Sequence, residues 1–78
     1  MHKFTELETI ILIHDIPERG LKKGDMGAVV MVHGKGEAGE VEFVTATGRT
    51  VALLTLTSAD VRSVKNNDVL HARGFASV

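Results

Sequence analysis

Residues 20–30 read Gly-Leu-Lys-Lys-Gly-Asp-Met-Gly-Ala-Val-Val, and this stretch decides the fold class. Gly24 and Gly27 stand on either side of an acidic residue, and the chain then continues into β-branched side chains. Because glycine tolerates positive φ and the close approach of another backbone, the two glycines predict a tight turn and a β-bulge that begin a strongly bent strand. A strand of this kind is typical of a small β-barrel.

Turn signals recur at short intervals on both sides of this stretch and divide the chain into short strands. Alternation and β-branched content predict strands at Thr9–His14, Ala28–His33, Glu40–Thr45, Thr50–Leu56 and Val61–Val64, with an optional sixth at Val69–Ala72. A long first loop precedes Gly24, because Pro17 lacks the amide donor that a sheet requires. A single 3-10 turn is expected at Thr57–Asp60, and an extended segment before Thr9. We therefore predict one domain, residues 1–78: an all-β, SH3-like barrel of five or six short strands.

The composition excludes several classes of function. The chain has no cysteine, so neither disulfides nor a thiolate metal site supports the fold, and a reducing cytoplasm is the expected location. Apolar runs such as Ile10 to Ile13 are far too short to cross a bilayer. A net charge of −1 provides no overall attraction to phosphate backbones or anionic membranes. With no Trp or Tyr, the chain also lacks the aromatic surfaces that bind proline-rich peptides or stack on bases.

Apolar side chains are more numerous than one small barrel needs. The first, second and fourth predicted strands are apolar at nearly every position, so Ile10 and Ile11 point to opposite faces of one strand, as do Ala52 and Leu53. A five-stranded barrel has only one interior. We expect the surplus to be covered by the N-terminal segment, the C-terminal residues, a second copy or another protein, since large bare apolar patches are uncommon on soluble monomers.

No group of side chains has the spacing that catalysis or metal binding requires. The four histidines lack close ligand spacing and are interpreted as solvated or edge residues: His2, His14, His33 and His71. Glu40 and Glu42 share one face of a strand but are interpreted as outward, solvated carboxylates. No helix follows Gly34–Gly36 to hold a phosphate. We therefore expect no enzymatic activity, cofactor, metal or small-molecule substrate.

Several motifs, in order from Thr9 to Arg73, make the chain similar to a bacterial family of short proteins, domain-of-unknown-function family 4926. They are Asp15-Ile16-Pro17-Glu18 with Gly20-Leu21, Lys23 to Gly27 with Val29-Val30, Val41-Glu42-Phe43, and Gly48-Arg49-Thr50 to Leu56 ending at Asp60-Val61-Arg62. The resemblance implies a small SH3-like barrel and carries no established activity or catalytic residue. Members often look like parts of mobile or paired-gene systems, which implies an antitoxin-like or immunity-like partner role.

Residues 23–30 are also similar to the motif of ribosomal-protein and transcription-factor barrels that bind RNA or protein. The flanks differ from the nucleic-acid pattern, because acidic residues stand where a basic cluster is expected: Glu18, Glu37, Glu40 and Glu42. Binding of RNA or DNA is therefore the alternative hypothesis rather than the first. The two hypotheses differ in salt response, since neutralising several phosphates makes affinity fall steeply with salt.

The long first loop is the predicted partner-binding site. Its apolar residues Ile16, Pro17 and Leu21 are expected to form the centre of an interface. Its basic residues Arg19, Lys22 and Lys23, together with Arg49 from the turn before the fourth predicted strand, are expected to form the rim. An apolar centre within a polar rim is how protein interfaces are built. The first hypothesis is a non-enzymatic protein-interaction module that self-associates as a homo-oligomer or binds a protein partner.

Overall fold

The fold is one antiparallel sheet of five strands in a computed structural model that describes residues 2–75. The strands are β1 (Thr9–Leu12), β2 (Met26–His33), β3 (Ala38–Val44), β4 (Thr50–Thr57) and β5 (Val61–Ser63), in the spatial order β4-β3-β2-β1-β5. β1 pairs with both β2 and β5, so the chain's first and last strands lie side by side. The predicted all-β fold and its five strands are confirmed. The described residues include no helix long and apolar enough to cross a membrane.

Three details differ from the predicted barrel. Within residues 2–75 the edge strands β4 and β5 do not pair, so the sheet is not closed. Residues 69–72 form no strand. The 3-10 helix lies in the first loop, at Pro17–Arg19, because Pro17 supplies a helical φ at its first position. Thr57–Asp60 is a single turn, in which the Asp60 amide donates to the Thr57 carbonyl at 2.9 Å without the second consecutive hydrogen bond that the 3-10 helix has.

The two glycines of the opening stretch have different roles. Gly24 lies at φ +95° in the turn before β2, as predicted. Gly27 is not a bulge but a regular residue of β2 opposite Ile10. The bulge of β2 lies further along, where Val29 pairs with Val41 but Met31 pairs with Glu40, which leaves Val30 as the extra residue. A bulge turns the side chains that follow it, and here it brings Val30 and Met31 to solvent.

The core lies on the inner face of the sheet, toward which alternate residues of each strand point. Its members are Phe4, Ile10, Leu12, Leu21, Val29, Val41, Phe43, Ala52, Leu56 and Val61. The extended N-terminal segment closes this face: the Phe4 amide donates to the Gly36 carbonyl at 2.9 Å, and the Phe4 ring fills the space beside Gly39. The predicted cover by the N-terminal segment is thus part of the fold.

Cover of the opposite face is incomplete. Ile11, on the outer side of β1, is only 6% exposed and shares a cleft with Val69 and Leu70 of the C-terminal residues. In contrast, Val30, Met31 and Leu53 are 44%, 52% and 51% exposed. The surplus of apolar side chains is therefore hidden at β1 and uncovered over β2, β3 and β4.

Replacing Gly27 with alanine should lower stability. A Cβ atom there would lie 2.5 Å from Val41 Cγ1 and 2.9 Å from Phe43 Cε2, and both side chains belong to the packed core. Overpacking of this kind lowers the free energy of unfolding by about 1–3 kcal/mol. Gly74→Ala is the matched control, because a Cβ at Gly74 meets nothing within 4 Å. Urea unfolding of both variants checks this, and equal midpoints would contradict it.

Candidate protein-interaction surface

The predicted apolar centre of the first loop is not a surface. Leu21 is 3% exposed and belongs to the core. Ile16 packs against the same core and is tied to Leu21 by two backbone hydrogen bonds of 2.9 and 3.1 Å. Only Pro17, in the 3-10 helix, is exposed. The loop folds back because the Ile16–Leu21 bridge turns its apolar side chains inward, so Ile16 and Leu21 serve stability.

The predicted basic rim does not assemble around this loop. Arg19, Lys22, Lys23 and Arg49 are all exposed, but at separate places. Arg19 borders a cleft beside residues 54–56 of β4, whereas Lys23 borders the cleft under the C-terminal residues. Arg49 precedes β4 and lies five or more residues before the part of β4 that lines the cleft of Arg19. At about 3.3 Å per residue, Arg49 is therefore roughly 16 Å or more along the strand from that cleft. The structure therefore places no concentrated positive surface on the loop.

Three of the four histidines pair with carboxylates. His2 Nε2 lies 2.9 Å from Glu8, His14 Nε2 lies 2.8 Å from Asp60, and His33 Nε2 lies 2.9 Å from Glu40. Each pair is a separate contact. Within residues 2–75, no three metal-ligating side chains converge on one point.

The outer face, defined here as the solvent side of β2, β3 and β4, carries the exposed apolar group Val30, Met31 and Leu53. Two carboxylates lie among them: Glu42 is opposite Leu53, and Glu40 is opposite Met31. Both are held in place, since Thr50 Oγ1 donates to Glu42 at 2.8 Å and Thr55 Oγ1 donates to Glu40 at 2.7 Å. The result is an apolar patch with ordered acidic side chains.

Hydrogen bonds keep Glu40 ionised. The Thr55 hydroxyl and the His33 ring both bond its Oε2 atom and lower the pKa of Glu40 below its ordinary value. A general acid needs the opposite shift, because it must hold a proton near neutral pH. Glu40 is therefore suited to fixing the polarity of the outer face rather than to proton transfer.

The C-terminal strap, defined here as residues 64–75, lies across the first loop. Arg73 forms a bidentate pair with Asp25, with N–O distances of 2.7 and 2.6 Å, and donates to the Gly20 carbonyl at 3.0 Å. The Phe75 ring lies over Gly20, where a Cβ would be 3.0 Å from its Cζ atom. The strap has no regular secondary structure and borders a groove of about 480 Å³ beside the β3–β4 hairpin.

Sequence reasoning singled out neither the bulge that exposes Met31 nor the Arg73–Asp25 pair. A bulge has no reliable residue signal without a glycine at its first position, and Val29, Val30 and Met31 resemble any buried strand. Arg73 and Asp25 are 48 residues apart. The sequence did give one signal of an exposed apolar face, which was the number of apolar residues on both faces of the predicted strands.

His14 should titrate above its ordinary value. The backbone carbonyl of Asp15 accepts from its ring, and the Asp60 carboxylate accepts from the other ring nitrogen, so the pKa of His14 is raised above 6.5. Its stabilising contribution is complete below about pH 6.5 and is lost as pH rises through the raised folded pKa. Asp60→Asn should lower the pKa only in part, since the Asp15 carbonyl remains. NMR titration checks this, with Glu42→Gln as the control that leaves His14 unchanged.

Arg73→Gln should release the strap while leaving the sheet intact. Partial burial pushes the pKa of Asp25 upward, but hydrogen bonds from Arg73 and from the Lys22 amide outweigh it and lower the pKa. Without Arg73 this pKa should rise toward 3.8, and the ¹⁵N order parameters of residues 72–75 should fall below about 0.6. Arg49→Gln, which removes an exposed arginine from another turn, is the control. Unchanged order parameters would contradict a role of the Arg73–Asp25 pair in holding residues 72–75.

Comparison with known proteins agrees with the resemblance drawn from the motifs. The model of the family described as domain of unknown function DUF4926 matches residues 6–63, which include all five strands and exclude the C-terminal strap. Searches of curated proteins and of solved structures gave no match. Because the matched region covers well over half of the chain, this protein belongs to the DUF4926 family.

Proposed function

We propose that the protein is a non-enzymatic protein-interaction module that presents the outer face of its sheet to another polypeptide. The proposal rests on the exposure of Val30, Met31 and Leu53, each of which is more than two-fifths accessible to solvent on the outer face of β2, β3 and β4. Exposed apolar residues that form a group on a monomer's surface mark interaction sites more often than scattered ones do.

The polarity around the patch favours a protein over a nucleic acid. Glu40 and Glu42 are fixed on the same face by threonine hydroxyls and would repel a phosphate backbone. Glu40 and Glu42 stand on β3, between Leu53 of β4 and the apolar side chains of β2, so this face combines apolar contact with ordered hydrogen-bond acceptors, as protein interfaces do. Arg19 and Lys23 of the first loop border two different clefts, neither of which is lined by Val30, Met31 or Leu53, so they do not favour the RNA- or DNA-binding alternative.

The ordered side chains of the outer face support the same function. Strand register sets the directions of Met31 and Leu53, and Glu40 is held by two hydrogen bonds. A surface whose side chains are already ordered loses less conformational entropy on association. Such a surface can serve an oligomer or a dedicated partner, and an antitoxin-like or immunity-like role in a paired-gene system would be one use of it.

Photo-crosslinking in cells tests this function. Benzoylphenylalanine in place of Met31 should form protein adducts of discrete mass, because the side chain at this position projects from the patch. The same substitution at Val69, which is 78% exposed on the strap, is the matched control and should give few adducts. Gel shift and mass spectrometry identify the products. Adducts with nucleic acid, or equal protein adducts at both positions, would contradict the proposal.

A further inference from the structure

The free edge of β4 is the least protected part of the sheet. Within residues 2–75, β4 pairs with β3 on one side and with no strand on the other. In an antiparallel strand alternate residues direct their backbone N–H and C=O groups away from the partner strand, so this edge presents a row of unused donors and acceptors. The strand is eight residues long, which is enough for several ladder hydrogen bonds.

Natural proteins normally protect such an edge with charge, proline, a bulge or a short strand. β4 reads Thr-Val-Ala-Leu-Leu-Thr-Leu-Thr and contains no charged residue and no proline, and its one irregularity, at Val51, lies near its start and leaves residues 52–57 in regular register. The other edge of the sheet differs, because β5 has only three residues and carries Arg62, which is paired with Asp68 at 2.9 Å. Residues 52–57 of β4 are therefore the less protected edge of the sheet.

The two ends of β4 carry opposite charge. Arg49 stands immediately before the strand, exposed and in no ion pair within residues 2–75. At the other end, a cleft of about 340 Å³ lies between residues 54–56 and the first loop, and its carboxylates outnumber its cations: Asp15, Glu18 and Asp60 against Arg19 and the titratable His14. An antiparallel copy of the same strand would place each positive end beside a negative end.

We infer that two copies of this chain associate by antiparallel pairing of β4 with β4, which joins their sheets into one. The inference rests on the proposed function and names its partner as a second copy. A two-fold axis perpendicular to the sheet keeps both outer faces on the same side, so the Leu53 side chains become neighbours and the apolar patches merge. The partner's Arg49 enters the cleft beside Glu18 and Asp60.

Repulsion between the acidic residues of the outer face does not oppose this arrangement. Glu42 lies on β3, so three strand spacings of about 4.8 Å, roughly 14 Å in total, separate it from the partner's Glu42. The Debye length at physiological ionic strength is about 8 Å, and the two carboxylates are therefore largely screened from each other. Only the uncharged β4 strands lie between the two Glu42 side chains.

Sedimentation velocity over a concentration series tests the inference on the full chain. The unmodified protein should show a monomer–dimer equilibrium. Leu53→Lys places like charges near the two-fold axis without touching the core, and should raise the dimer Kd by at least about tenfold. Leu70→Lys makes the same chemical change at a side chain 57% exposed on the strap, and should leave Kd unchanged. Circular dichroism confirms that both variants fold.

A charge exchange tests the orientation. Arg49→Glu should weaken the dimer, and adding Glu18→Lys to the same chain should restore it, because both symmetric contacts are then reversed in sign. Amide hydrogen exchange should show protection of alternate β4 amides that increases with protein concentration. A dimer with no change at β4, or a double variant as weak as Arg49→Glu alone, overturns the inference.

The outcome separates this inference from the proposed function. A protein that is monomeric at every concentration, and whose Met31 crosslinks join it to a different polypeptide, keeps its role as an interaction module but does not pair with itself. Protein adducts absent at Met31 contradict the module, whatever the mass of the purified chain. A dimer that Leu53→Lys weakens and Leu70→Lys does not supports the β4 interface.

Discussion

Burial of both faces of β1 is the constraint on which the rest of the structure depends. This four-residue strand pairs with β2 and β5, and its inner residues Ile10 and Leu12 and its outer residue Ile11 are all buried. A single sheet covers neither face by itself, so the chain's two ends must do it. The N-terminal segment packs Phe4 on the inside, and the strap crosses the outside.

Because the two ends of the chain cover β1, the outer face of β2, β3 and β4 is left uncovered. The strap reaches the outer side of β1 but not that of β4, and the bulge in β2 adds Val30 and Met31 to the uncovered area. Short chains have little material for a second layer, because surface is large relative to volume at this size. An uncovered apolar face on β2, β3 and β4 is thus a consequence of covering β1, and a free β4 edge adjoins it.

Attachment of the strap differs in kind from the packing of the core. The core is held by apolar contact, whereas the strap is held by the Arg73–Asp25 and Arg62–Asp68 pairs and by the Phe75 ring. Arg62 lowers the pKa of Asp68 to about 2, with a further contribution from the Lys65 amide. Exposed pairs of this type contribute modestly to stability. The strap lies outside the family's matched region, which contains the complete sheet.

Local signals were sufficient to define the five strands and the turn at Gly24, because alternation and backbone preference act over a few neighbouring residues. They did not locate the bulge at Val30 or exclude the barrel closure, since both depend on how strands pair at a distance. Leu21 appeared to belong to an interface and is part of the core, because the Ile16–Leu21 bridge reverses the loop. Sequence alone therefore determined that this chain has more apolar residues than one interior holds. Only the tertiary structure decided which of them stay uncovered, because exposure is set by neighbours far apart along the chain.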